Sequence, residues 1–435
     1  MQVKSAFYLR SLFLNAGIFT VGILGAVVFV LISAQLPTEG PQEAVSIGFA
    51  DGTLTTDITR EVAAVPGFIV MPSDAEGSCS SYSHMLSPPE DVFGLGLRPI
   101  EAVYGCEALA VAVNNPTEAN TYSEYFRYWH GASAVSKVAL TFVSVRTWHA
   151  LLTLTLLVLV FAMAWTMRRF SATLALGTII ILIVVTDIPW QGIAPLHGVS
   201  TAIALASALL TLLAFERKWA VRWAIAALGG GLYAISAHTL IPTAFAMFTA
   251  ICAMIPLLKQ ATVRRDLSWG RGLLVGVMWM FGYVLGTGSR AVWVTAFGPG
   301  QGRGLNEWGG TSTGYVTRSL IDPLYQTFGT LMKTWFSVGT MQVGLVLFAL
   351  VLGWSLAKCS GNPFSDRRTW LTLSPSLIGI GWLLVWAWHT PHLYVHAVPS
   401  IILLNILFAV EAARSFRNSP APGGSPSRSS ALGAL

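Results

Sequence analysis

Apolar residues fall in runs of about 20, parted by short charged or polar stretches, along most of the chain. A helix of that length crosses the roughly 30 Å hydrocarbon core of a bilayer. The runs predict ten spans: 12–34, 147–167, 171–187, 197–215, 220–237, 239–258, 271–289, 336–357, 370–388 and 393–413. The expected fold class is therefore an all-α polytopic membrane protein. The first run follows Lys4 and Arg10 and is long enough to remain as a signal-anchor helix over 1–34. Two long polar segments interrupt the series. Residues 35–146 carry Pro- and Gly-rich pieces with short apolar runs, Gly67 to Met71 and Ala108 to Val113, and read as a cap with one or two interfacial helices. Residues 290–335 hold a flexible glycine-rich stretch, Gly298 to Gly304, then a candidate interfacial helix from Val316 to Trp335. Nine helices would occupy 147–413. The tail, 414–435, is rich in Pro, Ser and Gly from Asn418 and is expected to be disordered.

Charge orients these spans. Arg168-Arg169, Arg217-Lys218, Arg264-Arg265 and the Lys358–Arg368 loop fall on the side of Lys4 and Arg10, with most of the 26 Lys and Arg. Basic loops stay in the cytoplasm, so both termini are expected there, with the acids, the cap and the 290–335 loop outside. Only 11% of residues are charged against 54% hydrophobic, with mean hydropathy +0.63; a soluble domain carries about 25% charged residues. The net charge of +6 is spread between apolar runs, which argues against a nucleic-acid partner. No phosphate-cradling glycine motif is present. Two of the four cysteines, Cys79 and Cys106, lie in the outer segment, where they could form a disulfide.

Candidate chemistry gathers at the outer ends of the spans. Residues 120–131 collect Glu124, Arg127, Tyr128, Trp129 and His130. Span three ends in Asp187, Trp190 and Gln191, followed by His197; span seven ends in Arg290 and Trp293; His389, His392 and His396 join the last two spans. All eight histidines fall in outer segments or at outer ends. Trp and Tyr belong at membrane interfaces on general grounds, but ionisable groups packed among them point to an outward-facing substrate cavity. Arg127 and Arg290 suit a phosphate, which a guanidinium binds through a fixed fork of donors. Tyr128, Trp129, Trp190, Gln191, His197, Trp293 and the three C-terminal histidines suit sugar rings or an isoprenoid chain. Glu124, Asp187 or a carboxylate of the outer loop would take a proton from an acceptor hydroxyl.

A signal-anchor helix, a large first outer loop, about ten helices and polar groups gathered outside together resemble the GT-C class of integral membrane glycosyltransferases. The motif Tyr128-Trp-His-Gly131 also resembles bacterial membrane proteins associated with surface-polysaccharide synthesis. The resemblance implies a bacterial cytoplasmic membrane protein with its site facing outside. It implies a polyprenyl-phosphate sugar donor, a glycan, lipid or protein acceptor, and an acidic base in the first outer loop. GT-C enzymes often carry paired acids soon after the first helix. Here the nearest approach is Ser73-Asp74-Ala-Glu76-Gly77, further along, which makes Asp74 a candidate base and His130 a candidate partner. No divalent metal is specified, although the i, i+3, i+7 spacing of His389, His392 and His396 would also suit a transition metal. Two other classes stay open. A flippase of lipid-linked sugars would use the same Arg and Trp chemistry with helix breaks inside the membrane, for which Pro242 and Gly229 to Gly231 are the candidates. A membrane acyltransferase would use His130 as base.

Overall fold

The computed structural model describes residues 2–56, 79, 81–83, 85–86, 106–114, 129–186, 188–236, 242–264, 269–297, 339–385 and 397–417. Every element among them is helical. In lipid each backbone N–H and C=O must find a partner within the protein, and a helix supplies one within its own segment. Six helices are long and apolar enough to span, over 10–34, 145–168, 195–216, 242–260, 270–293 and 397–417. The chain is an all-α, multi-pass membrane protein.

The long N-terminal helix α1 (Gln2–Ala34) is followed by two short helices, α2 (Glu39–Ala50) and α3 (Cys106–Asn114). Next come α4 (Gly131–Leu140) and α5 (Val145–Arg168), the latter started by Ser144 accepting from the Thr147 amide at 3.3 Å. Helix α6 (Ala172–Ile179) runs into a π-helical stretch, Ile180–Val185, and a 3₁₀ segment, Ile188–Ile193. Then follow α7 (Pro195–Glu216), α8 (Arg222–Ser236), α9 (Pro242–Arg264), α10 (Trp269–Phe297) and α11 (Gly339–Ala357). The last are α12 (Arg367–Leu373), α13 (Ser376–Val385) and α14 (Ala397–Arg417).

Among the described residues the remaining expected spans are covered by shorter or broken helices. Helix α8 has 15 residues, about 22 Å of rise. Span three loses regular winding at Ile180. Span nine is interrupted between α12 and α13, where Asn405 of α14 donates to the Leu373 carbonyl at 3.3 Å and to Ser376 Oγ at 2.8 Å. That interruption comes at Ser374-Pro375. The two candidate breaks of the flippase reading are not breaks: Pro242 opens α9, and Gly229 to Gly231 lie inside regular helix. Proline is tolerated at a helix start, where its missing N–H has no intrahelical role. The final helix runs through Arg417, four residues into the expected tail, because Arg417 is held by the Asn362 carbonyl at 2.7 Å and by the Ser360 carbonyl. The segments 298–304 and 316–335 and residues 418–435 lie outside the described residues.

Helix α9 is the centre of the bundle: 89% of its spanning window is buried, against 17% for α1. Around it Leu156 and Met163 of α5, Leu205 and Leu212 of α7, and Leu404 and Leu407 of α14 form one core with Phe248 and Ile251. The glycines of α8 have a packing role. A Cβ at Gly230 would overlap the Trp279 carbonyl oxygen, and one at Gly282 would overlap that of Ala227. Small residues let α8 and α10 approach backbone to backbone, and Gly282-x-x-x-Gly286 is the spacing that does so in membranes. Asn15 of α1 also reaches α8, accepting from the Ala224 amide at 2.8 Å.

A small cap covers one end. Cys79 and Cys106 are joined by a disulfide with Cα atoms 5.0 Å apart. With Val45, Leu54, Tyr82, Leu109 and Val145 they form a separate apolar core. Gln42 donates to the Val113 carbonyl at 3.1 Å, tying α2 to α3. The buried Tyr82 hydroxyl meets His149 Nε2 at 2.7 Å, pinning the cap to α5. His149, one of the histidines expected at the outer ends of the spans, is thus occupied by the cap.

Candidate functional site

At the cap end two groups of expected site residues come together. The first is built on Trp129, which precedes α4 and is 3% exposed. It packs with Val27 and Val30 of α1, Ile235 of α8 and Trp293 of α10. Its indole N–H donates to Ser289 Oγ at 3.0 Å, across 160 residues of sequence. The Arg290 guanidinium lies 5.2 Å from the Trp129 ring centre, and the Trp293 ring lies 5.8 Å from it at 57°. Arg290 is 2% exposed. A desolvated guanidinium over an indole face gains about 2 kcal/mol from the ring quadrupole. That offsets part of the much larger cost of removing the ion from water.

His130 follows Trp129 in the left-handed region, with φ 56°. A residue with a Cβ adopts this only where its surroundings impose it. Here the next residue starts α4 against α8: a Cβ on Gly131 would come within 2.8 Å of the Ile235 carbonyl. The turn that presents His130 is therefore set by helix contact on one side and Trp129 packing on the other.

The second group surrounds a cavity of about 30 Å³ lined by Thr186, Gln191, His197, Thr201, Tyr233 and Phe245 among others. Gln191 Oε1 accepts from Thr201 Oγ1 at 2.5 Å. Space of this size admits one or two waters and no sugar ring. Both groups meet α8 near its C-terminal end, at Tyr233 and Ile235. Asp74, Glu124, Arg127, Tyr128, Asp187, His389, His392 and His396 lie outside the described residues, as does the side chain of Trp190, whose backbone belongs to the 3₁₀ segment. Among the described residues no three His, Cys, Asp or Glu side chains cluster to hold a metal ion.

One cation at this end was not singled out in the sequence. Lys137 of α4 is 2% exposed, and its ammonium donates to the Ala34 carbonyl at 2.9 Å, at the C-terminus of α1. A positive charge there complements the helix dipole. Burial pushes the ammonium down to about 8, and the Glu39 carboxylate opposes that shift. The available signal was a single Lys within the otherwise uncharged run Gly131–Leu140. No family model, curated protein or solved structure matches the chain.

Proposed function

We propose that this chain is a membrane glycosyltransferase of GT-C type, with ten spans and both termini cytoplasmic. It would move a sugar from a polyprenyl-phosphate donor to an acceptor outside a bacterial cytoplasmic membrane. The observation that carries the reading is Arg290, a guanidinium buried against Trp129 and beside Trp293 at the capped end of a membrane helix. An ionised group at membrane depth is costly and marks a substrate path. In this role Arg290, with Arg127, holds the donor phosphate, and the tryptophans face the sugar or the isoprenoid. A carboxylate, Glu124, Asp187 or Asp74, takes the proton of the acceptor hydroxyl. The acceptor oxygen bonds to the anomeric carbon as the carbon–oxygen bond to phosphate breaks, and polyprenyl phosphate leaves with that electron pair. Charge builds on the phosphate as the sugar departs, so the arginine contact strengthens in the transition state.

The test is a reconstituted assay with a labelled lipid-linked sugar. Wild-type protein releases polyprenyl phosphate. Arg290→Ala lowers the rate per folded molecule by about 100-fold or more, and Arg290→Lys recovers part of it, because an ammonium cannot bind bidentately. Unchanged rates in folded Arg290→Ala remove the donor site. A second reading is favoured by the interruption at Ser374-Pro375, whose freed carbonyl is taken up by Asn405. Broken helices of this kind serve transporters. In that case the same assay shows intact lipid crossing the bilayer and no released polyprenyl phosphate.

A further inference from the structure

The opposite end of the bundle holds a much larger cavity, about 380 Å³, enclosed by the α5–α6 junction and the C-terminal ends of α9 and α14. Its floor is apolar and buried, formed by Leu174, Ile255, Leu258 and Phe408. Its rim is basic. Arg169 and Lys259 are exposed there and Arg414 is half-buried, each contributed by a different segment of the chain.

Among the described residues one acid lines the cavity, and its charge is already engaged. Glu411 is 6% exposed. It accepts from Ser171 Oγ at 2.5 Å, from Arg414 at 2.7 Å and from Ser355. Arg169 approaches Glu216 only at 3.9 Å, with its own side chain 52% exposed, and a pair of that kind is worth little. The Lys259 ammonium sits 5.6 Å from the Phe170 ring centre, at the boundary between rim and floor. The cavity is therefore cationic above and apolar below, at the level where helices leave the membrane.

We propose that this cavity binds the phosphate of an anionic amphiphile, with Arg169, Lys259 and Arg414 around the phosphodiester and one acyl chain on the Leu174–Phe408 floor. An anionic phospholipid of the adjacent leaflet has this chemistry. The site is independent of the transfer reaction proposed for the capped end. It would anchor α14 against α6 and α9, the elements that meet in it.

The experiment uses the full chain in mixed micelles of phosphatidylglycerol and phosphatidylcholine, with bound lipid counted by native mass spectrometry. Wild-type protein retains phosphatidylglycerol in preference to phosphatidylcholine. Each cation near a membrane surface is worth about fivefold in affinity for anionic lipid, so Arg169→Gln with Lys259→Gln reduces the preference by roughly thirtyfold. Lys358→Gln, whose ammonium lies 4.1 Å from the Trp354 ring centre and outside the cavity, leaves it unchanged. If the double variant does not fold, Lys259→Gln alone, a change at an exposed side chain, loses about fivefold. A second arm adds inorganic phosphate or glycerol phosphate to delipidated protein. Thermal stabilisation by these equal to that by phosphatidylglycerol overturns the lipid in favour of a soluble phosphate compound. No lipid preference in wild type, or the same preference in the folded variants, overturns the site itself.

Discussion

Among the described residues, the two ends of the bundle bury charges of opposite sign. At the capped end the buried ions are cations: Arg290 under Trp129, and Lys137 on the last carbonyl of α1. At the other end the buried ion is an anion, Glu411, held by two serines and Arg414. In each case it is the rarer sign for that side of the expected topology, in which acids fall mostly on the capped side and bases on the opposite one. The abundant sign is spent on solvated surface and orientation. A charge of the rare sign gains nothing there, and it persists where fixed contacts compensate its removal from water. The cavities lined by described residues differ as well: about 30 Å³ beside Gln191 and His197, against about 380 Å³ beneath the basic rim.

The largest stability effect is expected at Glu411. Glu411→Ala leaves Ser171, Ser355 and a buried part of Arg414 without their acceptor and costs about 3–5 kcal/mol. Glu411→Gln keeps the shape and one acceptor oxygen and costs less. Unfolding in mixed micelles, followed by circular dichroism, measures both. Equal stability of all three proteins would mean that the basic end needs no buried ion, and the comparison between the ends would fail.

Next is the disulfide of the cap. The cysteines are 27 residues apart, and closing such a loop is worth about 3 kcal/mol by the chain-entropy model. Cys79→Ser is expected to loosen the cap while the basic end stays intact. Limited proteolysis should then cut within 35–128 before any site in α9 or α14. Simultaneous cleavage at both ends would show that they unfold as one unit.

A smaller effect belongs to the pin between cap and bundle. Burial holds the Tyr82 phenol well above its ordinary pKa, so it keeps its proton, and its bond with His149 does not weaken in mild alkali. Tyr82→Phe removes one buried hydrogen bond and costs about 1 kcal/mol, somewhat more if His149 is left unpaired. The readout is the cap's protease sensitivity relative to Cys79→Ser.

The last effect is a pH dependence, spread over the window in which Lys137 titrates. The folded-state pKa of Lys137, about 8, lies below the value near 10.4 of an unfolded chain. Between those values the unfolded state binds the extra proton, so stability rises with pH through that window. Lys137→Met should flatten the rise. A fall in stability over the same range, reversed by Lys137→Met, would mean that the contact with Ala34 favours the charged form more than burial opposes it.

Much of the architecture could be read from residue order. The apolar runs specified a helical membrane protein, because only internally bonded backbone is stable in lipid. Trp129 and Arg290 stood out as charge beside aromatics at span ends. Cys79 and Cys106 were the two cysteines of one expected outer segment, and the structure joins them. Other features had no linear signature. Gly282-x-x-x-Gly286 is visible in the chain, but its partner, Ala227 to Gly231, is chosen by how α8 meets α10. The break at Ser374-Pro375 is tolerable because Asn405, some thirty residues later, takes the freed carbonyl. The basic cavity escaped notice because Arg169, Lys259 and Arg414 each read as an ordinary cytoplasmic charge. The hydrophobic pattern by itself determined that the chain is built of membrane-spanning helices, since that follows from transfer of single segments between water and lipid. The tertiary structure decided which charges are buried, and against what, because that depends on contacts between segments up to 240 residues apart.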